Sequence, residues 1–293
     1  MTPRLVRILL ALAALWPTPG RTAPPVEVTE ITWLQGYRAT PEASATEARM
    51  AGGLLPFLAR AMPQVRQPVV QANARRAWAL IAQGDPVCQP SSVRTPEREK
   101  IAYFTDTLLG PPQQLIVRRE LLKELPRSPF GEVDLQQLLA DKHLRGALVD
   151  GRSYGSSIDA MLARQPPGRS LTRYAMGDFG SQLLPMLSLS RADYTIGYDA
   201  FLGQSQRDNP KLKVLVSQPI AGAGEPVRAG VACPRTPWGL AAIRAIDKAI
   251  GTPAGAALLK DESTHWLTPE ARQHYSAQFE SFFKERAKPS VIR

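Results

Sequence analysis

Three histidines, two cysteines and a scatter of arginines bound the chemistry open to this 293-residue chain. His143, His265 and His274 stand at no spacing that pairs them with cysteine or carboxylate ligands, so no metal centre and no cofactor are expected. No Gly-x-Ser-x-Gly step lifts a serine onto a sharp turn, and Ser-His-Asp catalysis is therefore unsupported. What remains is binding chemistry. Arg152, Ser153, Tyr154 and Gly155 follow a glycine turn and open a helix, a geometry suited to holding an anion by backbone and side chain together. The plain alternative is an ordinary helix start with Tyr154 packed on the surface. Trp33 and Tyr37, after the first strand, offer rings for stacking on a ligand, although a tryptophan at a strand end is more often core.

The compartment is set by the first residues. Arg4 and Arg7 precede an apolar run over 8–16 and a small-residue, helix-breaking stretch over 17–20, the three-part layout of a secretory signal peptide. The apolar run falls short of the roughly 20 residues a membrane span needs. A signal peptide over 1–23 is expected, with the bond after Gly20 as a rival cleavage point and an uncleaved anchor as the alternative. No cysteine lies near, so the protein is not expected to be a lipoprotein. The mature chain should be soluble and periplasmic, where a sparse, even cysteine count favours one disulfide between Cys88 and Cys233 over two separate buried thiols.

About 270 residues then remain, near the size at which one core stops growing and chains divide, so two lobes are expected. Cleavage after Gly20 removes Arg4 and Arg7 and takes the formal charge from +10 to +8. The positive residues are scattered without interleaved aromatics, which argues against nucleic acid. A solvated surface with some preference for anionic ligands accounts for them.

Periodicity supplies the elements that must position these residues. Strands are expected over 26–34, 68–72, 87–89, 101–104, 114–117, 146–149, 193–198, 211–216 and 227–233. Helices are expected over 53–62, with Pro56 in the first turn, over 74–83, ended by Gly84, over 135–142, capped by Asp134, and over 156–163. The apolar stretch 181–190 leads by a turn at Arg191 and Ala192 into a strand. Thr236 and Pro237 cap a helix over 238–250, and the last third is helical and polar. The alternation is that of an α/β chain.

Within 76–120 the pattern is similar to the hallmark of family 3 extracellular solute-binding proteins. A helix ending in Gly84 leads to a strand, the serine loop Ser91-Ser92, a Thr-x-x-Arg step from Thr95 to Arg98, and Phe104-Thr105-Asp106. A Leu-x-Gly-x-x-Val-x-Gly-x-Ser run over 144–153 and an Arg-x-Asp turn at 191–193 follow in the family's order. Cys88 and the Asp-Tyr-Thr-Ile-Gly-Tyr strand resemble a subgroup whose ligands are mostly unassigned.

The resemblance implies a two-lobed α/β periplasmic-binding-protein type II fold with two hinge-crossing strands. Lobe one would take 24–118 and 225–293, and lobe two 119–224. It implies a monomer that captures a small anionic or amino-acid-like solute, with a carboxylate-bearing one favoured, for an ABC permease or a membrane sensor. Arg98 falls on the family's carboxylate clamp, where a planar fork makes two parallel charge-assisted bonds; a surface cap or ion pair is the alternative. Ser91 and Ser92 would add hydroxyl donors, whereas the family's frequent donor position is Val93, which cannot donate. The ammonium-binding carboxylate of the family falls on Tyr198, so either the next residue, Asp199, substitutes or the ligand has no ammonium group. Two other readings stand beside this one. A dehydratase-like enzyme could use the same scaffold, with only Asp199 or Glu225 as acid–base candidates, or the chain could be an interaction or signalling module.

Overall fold

The computed structural model describes residues 26–36, 53–164, 170–176, 180, 182–264 and 267–292. The expected signal peptide, Tyr37 and His265 lie outside the described residues. Two five-stranded mixed sheets each centre one lobe. The first takes β1 (Thr32–Gln35), β2 (Val69–Gln71), β3 (Val87–Val93), β4 (Ala102–Gly110) and β10 (Val227–Pro234) in the order β2-β1-β3-β10-β4. The second takes β5 (Gln114–Arg118), β6 (Gly146–Val149), β7 (Leu171–Tyr174), β8 (Tyr194–Gly197) and β9 (Leu215–Gln218) in the order β7-β6-β8-β5-β9. The chain crosses between sheets at 111–113 and returns at 219–226.

In chain order the helices are α1 (Leu54–Ala61), α2 (Ala74–Gln83), α3 (Pro96–Glu99), α4 (Leu135–Ala140), α5 (Ser156–Ala163), α6 (Leu183–Ser188), α7 (Asp199–Asp208), α8 (Pro237–Ile250), α9 (Pro253–Thr264), α10 (Pro269–His274) and α11 (Ser276–Arg286). Their starts are set by short polar side chains that accept from orphan backbone N–H groups. Asn73 accepts from Arg76 N at 2.9 Å, Asp134 from Gln137 N at 3.0 Å and Thr236 from Gly239 N at 3.1 Å. Gly84 ends α2 in the left-handed region at φ 85°, where a side chain would be strained.

Alternation along the strands feeds a core on each face of each sheet. On β5, Leu115 and Val117 join Leu148, Tyr194 and Ile196, while Ile116 faces the other way onto Val149, Leu184 and Phe201. In the first lobe Trp33, Leu58, Ile243, Ile246 and Phe282 form one core and Leu34, Ile81 and Phe104 the other. Cys88 on β3 and Cys233 on β10 are joined by a disulfide across neighbouring strands.

Several expected boundaries shift. The first strand occupies only Thr32–Gln35, with Glu30 making an isolated bridge to Arg66. The strands expected over 87–89 and 101–104 run on to Val93 and Gly110, because β10 pairs with both of them. The strand expected over 211–216 is a 3-10 turn, Pro210–Val214, before β9. Pro210 fixes the first helical position and Asn209 caps Lys211 N at 3.1 Å, so local turn chemistry outweighs the alternating Lys and Leu. The helix α7 was not expected.

Candidate functional site

A cleft of about 250 Å³ runs between the two sheets, lined from one side by the end of β3, α2 and α3 and from the other by the β6–α5 turn, β8 and the start of α7. Arg98 lines it, and one turn of helix puts it there. Thr95 caps α3 by accepting from Arg98 N at 3.3 Å, and Pro96 fills the first helical position. The guanidinium stacks over Trp78, with its carbon 4.2 Å from the ring centroid, and donates from Nη1 to Val93 O at 2.9 Å. From Nη2 it donates across the cleft to Gly151 O at 3.1 Å, so Arg98 is held by both lobes. No carboxylate lies within ion-pair distance of it among the described residues. Neighbouring Arg94, by contrast, donates to Glu99 at 2.7 Å and Asp106 at 3.2 Å. Burial pushes the Arg98 guanidinium down to about 10, with Asp159 opposing the shift and Arg152 adding to it. The side chain is therefore a charged, desolvated cation at neutral pH. Two of its five N–H groups serve carbonyls, and the other three have no acceptor among the described residues.

Ser91 and Ser92 both line the cleft. Ser91 is exposed, whereas Ser92 is buried and donates to Gln89 Oε1 at 2.6 Å. Val93 joins the site through its carbonyl oxygen, which holds Arg98.

On the opposite wall the β6–α5 turn is built differently from the anion-holding loop that its sequence suggests. Asp159, on α5, accepts from Tyr154 N at 2.8 Å and from the Ser153 hydroxyl, and that hydroxyl in turn accepts from Gly155 N at 3.2 Å. The anion in this turn is thus the chain's own carboxylate. Gly155, at φ 97°, and Gly151, at φ 74°, supply the left-handed steps, and a Cβ on Gly151 would sit 2.7 Å from Arg75 N in the other lobe. Tyr154 is not a surface residue either. It is 1% exposed, and its hydroxyl accepts from Val149 N at 2.9 Å. Of this quartet Arg152 and Ser153 line the cleft, and Arg152 Nη2 donates to Gln113 Oε1 at 3.3 Å. Asp159→Ala is expected to lower stability by about 1–3 kcal/mol, since it strips two donors of their acceptor. A thermal melt checks this, and an unchanged midpoint would mean that the turn stands without its carboxylate.

Two other site expectations are corrected. Trp33 is fully buried, with Nε1 donating to Gln67 Oε1 at 3.2 Å, and leaves no ring face for a ligand. The tryptophan at the cleft is Trp78, on the face of α2 that the helical spacing assigns to the core. Tyr198 does line the cleft, its phenol pushed up by burial against the opposing effect of Arg152. Asp199 does not. It begins α7, accepts from the Ser217 hydroxyl and faces Pro111, Pro112 and His274 near the crossing between lobes. Glu225 is exposed and outside the cleft. Among the described residues the only acidic side chain lining the cleft is Glu262, which accepts from Gly53 N. Thr195, 3% exposed, lines the β8 side of the cleft.

No protein-family model matches the chain, and no curated protein matches it. Among solved structures it is similar to the arginine-, lysine-, histidine-binding protein ArtJ from the thermophilic bacterium Geobacillus stearothermophilus, at 12% identity and TM-score 0.58 over 84% of this chain and 98% of that one. A histidine kinase sensor domain with similarity to periplasmic binding proteins aligns at 16% identity and TM-score 0.51 over 92% and 98% of the two chains. The periplasmic VFT2 domain of Bordetella pertussis BvgS aligns at 15% and 0.52 over 82% and 93%. The chain therefore has the two-lobed α/β fold of periplasmic binding proteins.

Proposed function

We propose that the mature protein is a monomeric periplasmic receptor of the family 3 kind. It captures a small carboxylate-bearing solute between its lobes and hands it unchanged to an ABC permease or a membrane sensor. The observation that carries this reading is Arg98, a largely desolvated cation with no carboxylate within ion-pair distance among the described residues, which already bridges both walls of the cleft. A ligand carboxylate there gains charge-assisted bonds that water no longer competes for. Among the described residues neither His143 nor His274 lines the cleft, Asp199 is turned away from it and Glu262 accepts from Gly53 N, which favours binding without chemistry. The similar structures include an amino acid ABC transporter substrate-binding protein and a histidine kinase sensor domain, so either kind of partner is consistent with the fold. A thermal-shift screen of the mature protein against amino acids, dicarboxylates, short peptides and ring carboxylates tests the reading. A ligand at about 100 times its Kd is expected to add about 2.7 kcal/mol to the folded state and raise the midpoint by several degrees. No shift with any anion would overturn it.

A further inference from the structure

Thr195 is a polar side chain in the wrong company. On β8 its neighbours Tyr194 and Ile196 face one core, so Thr195 faces the other, beside its cross-strand partner Ile116 and among Val149, Leu183, Leu184 and Phe201. All six residues of this group are more than nine-tenths buried. The Thr195 hydroxyl is buried and has no hydrogen-bond partner among the described residues, yet Thr195 is one of the residues that line the cleft. A buried hydroxyl left unpaired costs about 1–3 kcal/mol, and valine would fill the same space without that penalty. The Tyr194 hydroxyl is also unpartnered among the described residues, but Tyr194 does not line the cleft.

The apolar character of this wall says what kind of body it takes. An apolar cavity of about 150 Å³ holds a benzene ring, and the cleft here is about 250 Å³, enough for one ring and the carboxylate attached to it. Among the described residues this wall presents no carboxylate to an ammonium group, since Asp199 faces away and Glu262 accepts from Gly53 N in the first lobe. We propose that the solute is a single-ring carboxylate carrying a hydroxyl or similar polar substituent. Its carboxylate meets Arg98, its ring lies against the second-lobe wall, and the substituent satisfies Thr195. This inference rests on the receptor reading above and names its ligand class.

Calorimetric titration of the mature protein with benzoate, its three monohydroxy isomers, cyclohexanecarboxylate, L-glutamate and L-arginine tests it, with Thr195→Val run alongside. The wild type is expected to bind ring acids and to prefer one hydroxylated isomer over benzoate by about tenfold. Thr195→Val, isosteric and apolar, is expected to erase that preference while binding benzoate at least as well as the wild type. Binding of amino acids but of no ring acid would overturn this ligand class and leave the receptor standing. A hydroxyl preference that survives in Thr195→Val would overturn the role of Thr195, and silence toward every anion would overturn both readings.

Discussion

Arg98→Ala is expected to weaken binding of the solute by about 30- to 1,000-fold, the loss that follows truncation of a desolvated, hydrogen-bonded charge. Arg98→Lys should fall between, because an ammonium keeps the charge but loses the planar fork that grips a carboxylate in two places. Trp78 provides the readout, since the guanidinium stacks on its ring at 4.2 Å and a ligand drawn to Arg98 must disturb that environment. Tryptophan fluorescence titrations of the three proteins give the affinities directly. The pH dependence follows from the same residue. With the guanidinium held at about 10, it stays charged through the neutral range, and affinity should fall as pH rises through that value. An alanine variant that binds as tightly as the wild type would mean that the clamp lies elsewhere.

The largest loss of stability is expected at Asp247, which does not line the cleft. This carboxylate on α8 is 2% exposed and gathers three parts of the first lobe. Thr105 Oγ1 on β4 donates to it at 2.6 Å, Ser290 N at 2.6 Å and Ser290 Oγ at 3.0 Å, and Arg286 on α11 pairs with it at 3.0 Å. Arg286 is itself 3% exposed, and its Nε has no partner among the described residues, so this charge depends on Asp247. Removing one member of a buried ion pair strands the other, which costs about 3–5 kcal/mol. Asp247→Ala should lower the thermal midpoint by roughly 6–20 °C for a chain of this size. Solute affinity measured well below that midpoint should be unchanged, which separates the latch from the binding site. A midpoint within a degree of the wild type would contradict the account of this network.

How much of this was legible in the sequence depended on whether the deciding interaction was local. The bounds of α2 were readable, because its apolar face and its terminating Gly84 lie within or next to its own span. The same holds for α5 and β6, whose bounds are those expected. The lengths of β3 and β4 were not readable, since both are set by β10, more than a hundred residues away in the chain. In the site, Arg98 was reached through a motif, but its bond to Gly151 O in the other lobe exists only in the fold. The turn over 152–155 misled for a related reason. Its glycines and serine do form an anion-binding geometry, and Asp159, one helical turn further on, occupies it. Trp33 belongs to the core and Trp78 to the cleft because spacing assigns a residue only to a face, while packing decides whether that face meets other side chains or a cleft. Thr195 gave no signal at all. A threonine in a strand is ordinary, and what sets it apart is a partnerless hydroxyl in an apolar wall.

Calorimetric titration of the purified mature protein, across the anion panel at neutral pH, tests most directly the claim that this cleft is a receptor site for a small carboxylate. The account predicts saturable binding of one solute per chain, with a negative heat-capacity change as the lobes cover the ligand's apolar surface. Titrations without heat for every carboxylate at millimolar concentration would contradict it.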